Sequence, residues 1–416
     1  MRSSDPFADV EISRRRSIEI AIATGLLAIL WSMVFPHQAA IVAVILALFV
    51  MILLHEFGHF VMAKRAGMKV TEFFVGFGPR IWSFRRGETE YGLKAVPLGG
   101  YCKIIGMTNL EEVAPEDEPR AYRSKNWRQK VSTVVAGPTV HFIIAFILMF
   151  TVLFFAGDYA HSRATTTLGA VSQGAAAAGL RPGDEVIAIN GKQITQWDKQ
   201  VPALVNPNGK AKAGDVVTFQ IRRGDQVFQV PVTLQVSNDP SLQGRVVAGI
   251  APHFYLPHPG LGAAFAQTPR QLFDYSWGSI KAVGAMFSPA GISNYFKILS
   301  GSHDKSVNQN QRFVSPVGIG QLASDAVRAG WVTVFGLLIM VNIFVGLFNL
   351  LPMFPFDGGF IAVASYERVA SSLRHRKVQV DVTKLVPLTV AVFAILGFIG
   401  ITSIFLDVTH PIANPF

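Results

Sequence analysis

Five stretches of this chain, residues 18–35, 39–63, 131–156, 331–351 and 385–406, approach or exceed the ~20 consecutive apolar residues that a bilayer core requires. Inside lipid a segment has to satisfy its own backbone polar groups, so each run is expected to be a helix. The expected fold class is therefore a polytopic α-helical membrane protein with about five transmembrane helices. Composition agrees: 50% of the 416 residues are hydrophobic and only 15% are charged, and the mean hydropathy of +0.37 lies well off the soluble average.

The formal net charge is +10, but no base-reading motif accompanies it. Much of the charge flanks the apolar runs, as anionic lipid headgroups favour, so the bilayer and not nucleic acid is the expected partner. The lone cysteine, Cys102, excludes an intrachain disulfide and a thiolate zinc cluster. The first apolar run follows Arg14, Arg15 and Arg16 and has the look of a signal peptide. No small-residue cleavage site closes it and a second run starts almost at once, so a retained anchor is expected. With the arginine triplet inside, the connections bearing Lys64, Arg65 and Lys69, and then Arg368, Arg374, Arg376 and Lys377, also fall inside, as the positive-inside rule asks. Residues 65–130 then face the cytoplasm, while residues 158–330 and the C-terminus are external.

Within the second run stands "LLHEFGHF", residues 53–60. His55 and His59, four apart on a helix, project from one face at adjacent turns, and Glu56 reaches a metal-bound water without ligating the metal. Three ionisable groups in a membrane segment cost about 2.5 kcal/mol each or more unless paired or functional, which favours a zinc site over a chance match. A catalytic zinc needs a third protein ligand and an open position. "FNLLPMFPFDGG", residues 348–359, offers Asp357, where Pro352 and Pro355 break the helix and Gly358 and Gly359 free the backbone. Entering from outside, His55 lies about 24 Å down its helix and Asn349 about 27 Å down its own, so the two motifs share one level. Irregular backbone at that depth is tolerated only when buried in protein or lining a wet cavity. Such a cavity explains how water reaches a site placed in the membrane.

HEFGH on one membrane helix with NLLP and FDGG on a later one resembles the site-2 protease family of intramembrane zinc metalloproteases, including the bacterial regulator-of-sigma-factor proteases. The resemblance extends from about residue 45 to the end, through "VGFGP" (75–79), "VPLGGY" (96–101), "AGP" (136–138) and "SPVGI" (315–319). The wording of residues 68–106 and of "VDVTKLVP" is most similar to single-PDZ actinobacterial members. The resemblance implies zinc on His55, His59 and Asp357, Glu56 as general base, and Asn349 as a residue holding the substrate strand. It also implies membrane-protein substrates: single-pass anti-sigma factors already cut outside, and remnant signal peptides. Three features depart from the family pattern. Phe354 stands where the second proline of the loop is usual, the helix at 18–35 is additional, and His141 occupies a position where Asn is common. His141 is level with His55 and so can compete with Asp357 as a ligand, but Asp357 matches the family position, and His141 is expected instead to hydrogen-bond beside the metal or to pack between helices.

Residues 66–130 read as short strands punctuated by Gly76, Gly78, Pro79, Gly87, Pro97 and the pair Gly99 and Gly100. The resemblance implies a membrane-associated β-loop whose edge, with Gly99 and Gly100, binds an extended substrate by strand addition. The alternative is a plain cytosolic hairpin. "AGLRPGDEVIAINGKQI", residues 178–194, resembles a PDZ signature, with a tight turn at Asn190 and Gly191. By analogy its peptide-binding edge is Leu168, Gly169 and the two residues that follow. Such a domain either recognises a new C-terminus or filters substrates by size.

The expected order is an anchor helix at 1–38, a transmembrane helix at 39–65, the β-loop region at 66–130 and a transmembrane helix at 131–157. An external PDZ domain at 158–250 and an amphipathic interfacial segment at 251–330 follow. A transmembrane helix at 331–364, a cytoplasmic loop at 365–384, and a last transmembrane helix and tail at 385–416 complete it. Two other functions stay open: a membrane-anchored protease of soluble peptides, and a PDZ-bearing scaffold with a defunct metal site. An intact Glu56 argues against the scaffold.

Overall fold

The computed structural model describes residues 34–108, 111–238, 242, 244–301, 312–376 and 378–410. The expected helix at 18–35 lies outside the described residues, apart from its last two positions. Four described helices are long and apolar enough to cross a bilayer, at the places of the other four apolar runs. The chain divides into two units, one made of residues up to 151 and from 265 onward, the other of residues 152–264.

Helix α1 (Pro36–Arg65) carries proline in its first turn and Lys64 and Arg65 in its last, the arrangement that suits a helix dipole and its missing donors. Strands β1 (Val70–Arg86) and β2 (Thr89–Ile104) then form an antiparallel hairpin that folds back on itself. Glu72 pairs with both Lys103 and Glu90, Phe73 with both Cys102 and Tyr91, and Val75 with both Gly100 and Leu93. The first half of β1 is thus flanked on both sides by β2, and the run from Gly100 to Ile104 forms one border of the sheet. Helix α2 (Trp127–Phe155) starts four residues earlier than the apolar run suggests. Asn126 accounts for this: its Oδ1 accepts from the Gln129 amide at 3.0 Å while Gln129 Oε1 accepts from the Asn126 amide at 3.2 Å, a reciprocal cap.

The second unit holds β3 (Arg163–Val171), α3 (Gln173–Ala177), β4 (Glu185–Ile189), β5 (Lys192–Gln193), α4 (Trp197–Val205), β6 (Val216–Arg223), β7 (Gln226–Thr233), β8 (Gln235–Val236), β9 (Val246–Val247) and β10 (Ile250–Tyr255). Its main sheet runs β10-β3-β4-β6-β7, with β5 beside β4. Alternating residues fill a conventional core in which Leu168, Ile189, Phe219 and Ile221 are buried. The tight turn forms as expected, with Asn190 and Gly191 both at positive φ. Two expectations are corrected. Strand β3 is not an edge, because β10 covers one side of it and β4 the other. The unit also runs beyond residue 250, since 250–255 are the border strand of its own sheet and not part of an interfacial segment.

In the remainder of the first unit come α5 (Leu261–Met286), α6 (Pro289–Leu299), α7 (Pro316–Ala329), α8 (Trp331–Asn349), α9 (Asp357–Arg374) and α10 (Val386–Thr409). The helix expected over 331–364 is two helices. It ends at Asn349 because Pro352 and Pro355 lack amide donors and disfavour helix in the residues before them. Helix α9 then continues to Arg374, so the first part of the expected cytoplasmic loop is helical. The glycines after Asp357 are required by the fold of that loop: a Cβ on Gly358 would lie 2.1 Å from the Leu351 carbonyl oxygen.

"SPVGI" is the start of α7, with the Ser315 hydroxyl accepting from the amides of Val317 and Gly318. It is bound to the end of α10 by a buried ion pair. Asp407 Oδ2 accepts from the Ser315 amide at 2.7 Å, and Oδ1 lies 3.2 Å from Arg312 Nη2, which also donates to the His410 carbonyl at 2.7 Å.

Candidate active site

The tight crossing of α1 and α2 builds the site. A Cβ on Gly58 would lie 2.7 Å from the Ala136 carbonyl oxygen, and one on Gly137 would lie 2.3 Å from His59 Nε2 and 2.8 Å from His55 Cε1. Small residues let the helix backbones approach, as is usual in membranes. Here they also leave room for two imidazoles. Helix α9 brings in Asp357 as its first residue.

His55 Nε2 and His59 Nε2 are 3.1 Å apart, and each lies 3.3 Å from Asp357 Oδ2. The three side chains meet across about 300 residues of sequence. His59 Nδ1 is 2.9 Å from the Thr133 carbonyl oxygen. A carbonyl only accepts, so Nδ1 carries the proton and Nε2 presents its lone pair to the cluster. The His59 Nε2 lone pair, the His55 Nε2 and a carboxylate oxygen are crowded at this distance, and Asp357 Oδ2 is buried without a hydrogen-bond donor, an arrangement suited to a cation. Zinc fits: bonds of about 2.0–2.1 Å in a tetrahedral arrangement space ligand atoms by about 3.3 Å. The two histidines are buried and Asp357 is half-buried.

Glu56 is not part of the triangle. It lies against the sheet border, where a Cβ on Gly100 would be 3.1 Å from Glu56 Cγ, and its carboxylate has a polar contact with the backbone of Cys102. Gly99 adopts φ +138°, open to glycine, and packs under the Phe77 ring. The sheet border from Gly100 to Ile104 has no strand partner on its other side among the described residues.

His141 is buried in α2 with its ring centroid 5.0 Å from that of His55. It stands outside the three-residue cluster. Its Nδ1 is 3.0 Å from Asn342 Oδ1, while Asn342 Nδ2 donates to the Leu338 carbonyl at 2.8 Å. The second bond orients the amide, so Nδ1 of His141 is the donor and Nε2 is bare. That Nε2 is buried and has no hydrogen-bond partner. Asn349 closes α8, and its Nδ2 donates to the Val345 carbonyl at 3.1 Å. Among the described residues no hydrogen bond joins it to the triangle.

Leu168 and Gly169 are corrected as site residues. Leu168 is buried in the core of the second unit, and Gly169 is backed by the Pro252 carbonyl, where a Cβ would come within 2.7 Å. Residues that the sequence reading missed are Thr133, Gly137 and Asn342. Gly137 sat inside the noted "AGP", and Asn342 was the polar residue within an otherwise apolar run; Thr133 acts through its backbone and left no signal.

Residues 43–397 match the model of peptidase family M50. This chain belongs to peptidase family M50, the site-2 proteases. As a member of that family it is a zinc metalloprotease with zinc as cofactor and a polytopic membrane fold. It is similar to zinc metalloprotease Rip1 of Mycolicibacterium smegmatis, with 30% identity over 417 residues covering 90% of this chain and 98% of the relative. It is likewise similar to zinc metalloprotease Rip1 of Mycobacterium tuberculosis, with 32% identity over 410 residues covering 89% and 98%. For this M50 peptidase the His55, His59 and Asp357 triangle gives the family's metal a set of donors of the right kind and spacing.

Proposed function

We propose that this peptidase is an intramembrane endopeptidase in which His55, His59 and Asp357 hold zinc and Glu56 is the general base. The observation that carries the reading is the buried triangle of donors with Glu56 lying against an open strand border. Zinc held there would lower the pKa of a water molecule towards about 7 and polarise the scissile carbonyl. Glu56 takes a proton from the attacking water and hands it to the departing amine, a role worth about 10²–10⁴-fold in rate. Thr133 keeps His59 in the tautomer that ligates. Asn342 keeps His141 in the tautomer whose free Nε2 accepts hydrogen bonds beside His55.

A transmembrane substrate hides its peptide bonds in its own helix and has to be locally extended before it is cut. The border from Gly100 to Ile104, beside Glu56, has no second strand partner among the described residues and offers its edge to such an extended segment. Asn349, at the end of α8, is proposed to hold the same segment from the other helix pair. The second unit is proposed to be a PDZ domain outside the membrane. One of its two border strands, β10, flanks with α4 a groove of about 940 Å³ lined by Trp197, Val201 and Val205. The proposed substrates are single-pass membrane proteins such as anti-sigma factors after a first external cut, and remnant signal peptides.

The test is Glu56→Gln in the purified full chain, reconstituted with a membrane substrate. Zinc content should stay at the wild-type level while turnover falls by about 10²–10⁴-fold, and mass spectrometry of the wild-type products should map the cut to the substrate's apolar segment. Undiminished turnover would remove Glu56 from the mechanism, and a cut confined to soluble parts would remove the intramembrane assignment.

A further inference from the structure

A second cavity, of about 620 Å³, lies where the start of α2 meets the last turns of α9 and the segment at 378–379. It is separate from the metal triangle and takes no part in the proposed reaction. Its walls carry Lys125, Lys130, Glu367, Arg368 and Ser372. The ionic groups are not equally available. Lys130 Nζ lies 3.0 Å from Glu367 Oε2, and Glu367 Oε1 accepts from the Val380 amide at 3.0 Å, so both oxygens of the one acid in the cavity are engaged. Arg123, also on the wall, is spent on a two-pronged pair with Glu118. Lys125 and Arg368 are left with no acidic partner among the described residues.

Arg368 is nevertheless held in place. Its guanidinium lies 5.4 Å from the Trp127 ring centroid, and the indole Nε1 donates to the Ser365 hydroxyl at 3.2 Å, which fixes the ring it rests on. A stacked guanidinium keeps its edge donors free, in a planar fork that matches the oxygens of a phosphate. The cavity also opens at the start of a 29-residue helix with no acidic residue in its first turn, where the helix dipole adds to the positive field. Trp127 is the first residue of a candidate membrane span, and tryptophan at that place marks the headgroup level.

We propose that this cavity binds the phosphate of an anionic glycerophospholipid, with Arg368 and Lys125 as the phosphate ligands and Ser372 as a hydroxyl donor. A free phosphate ion shares the chemistry, but the position at the end of a membrane span favours the lipid. This site does not depend on the catalytic reading.

The test is native mass spectrometry of the full chain in detergent, with dioleoyl phosphatidylglycerol, dioleoyl phosphatidylcholine and inorganic phosphate as probes. Wild-type protein should retain phosphatidylglycerol over phosphatidylcholine. Arg368→Gln and Lys125→Gln should each weaken that retention about fivefold, from about 1 kcal/mol per basic residue near anionic lipid. Ser372→Asp, which brings a negative charge into the cavity without touching the Arg368 stack, should weaken it as well. Melting temperatures in lipid-free detergent should match wild type for all three. Lys199→Gln in the second unit should leave lipid retention unchanged. Equal retention of phosphatidylglycerol by Ser372→Asp and the two glutamine variants would overturn the proposal. Binding of inorganic phosphate with no preference between the two lipids would also overturn it, in favour of a soluble anion.

Discussion

The two units of this peptidase answer to different solvents. In the β-rich unit Phe219, Ile221 and Ile189 are fully buried, while charged residues such as Arg222 and Glu185 pair on the surface. In the helical unit the pattern is turned around. Ile147 and Ile401 are 55% and 72% exposed, whereas His55, His59, His141, Asn342, Arg312 and Asp407 are buried. One unit hides apolar side chains from water, and the other hides polar side chains from lipid. What holds each together differs accordingly: area removed from water in the first, close packing and satisfied polar groups in the second.

That contrast can be broken most severely at the buried ion pair. Asp407→Ala would leave Arg312 charged and uncompensated between α7 and α10, and is expected to cost about 3–5 kcal/mol. Thermal unfolding in detergent should show the helical unit melting early. In the β-rich unit the comparable loss comes from an apolar group: Phe219→Ala is expected to cost about 3 kcal/mol through the cavity it leaves. Limited proteolysis should then cut residues 152–264 first, and zinc content should be unaffected.

His141→Ala sharpens the comparison within the polar interior. On the proposed reading His141 supports the ligand His55 from beside it, and loss of such a group weakens metal affinity by about 10–100-fold, measurable by zinc competition with a chelator. A change below threefold would make His141 a packing residue.

Acidification separates the units further. Arg223 holds the Asp184 carboxyl below the usual carboxylate range through two 2.7 Å hydrogen bonds. Because the folded value is depressed, this pair stabilises the β-rich unit above the unfolded value of about 3.9 and ceases to as pH falls through the folded value. Its unfolding midpoint should drop on acidification below about pH 4, and Asp184→Asn should flatten that dependence. The smallest effect is expected on the water-facing surface: Val216→Ser should change stability by no more than about 0.5 kcal/mol.

Much of the helical unit was legible in the residues alone. A run of about 20 apolar residues admits one structure in lipid, and His-Glu-x-x-His on a helix admits one local geometry, so the places of the four described spans and the shared helix face of His55 and His59 were readable without coordinates. The glycines and prolines around Asp357 likewise announced a break whose extent, seven residues from α8 to α9, the structure supplied. Local pattern was less use for the strand order. Strand β3 has the composition of either a border or an interior strand, and only its pairing with β10, some 80 residues later, decides which.

The same holds for the polar interior. Apolar runs and a two-histidine motif are local properties, and the sequence by itself determined them. Thr133 acts through a carbonyl that every residue possesses, Asn342 through an amide oriented by another helix, and Asp357 through the crossing that brings it within 3.3 Å of both imidazoles. Those relations join residues that are distant in the chain, and their energies depend on distance and orientation. Only the tertiary structure could decide them.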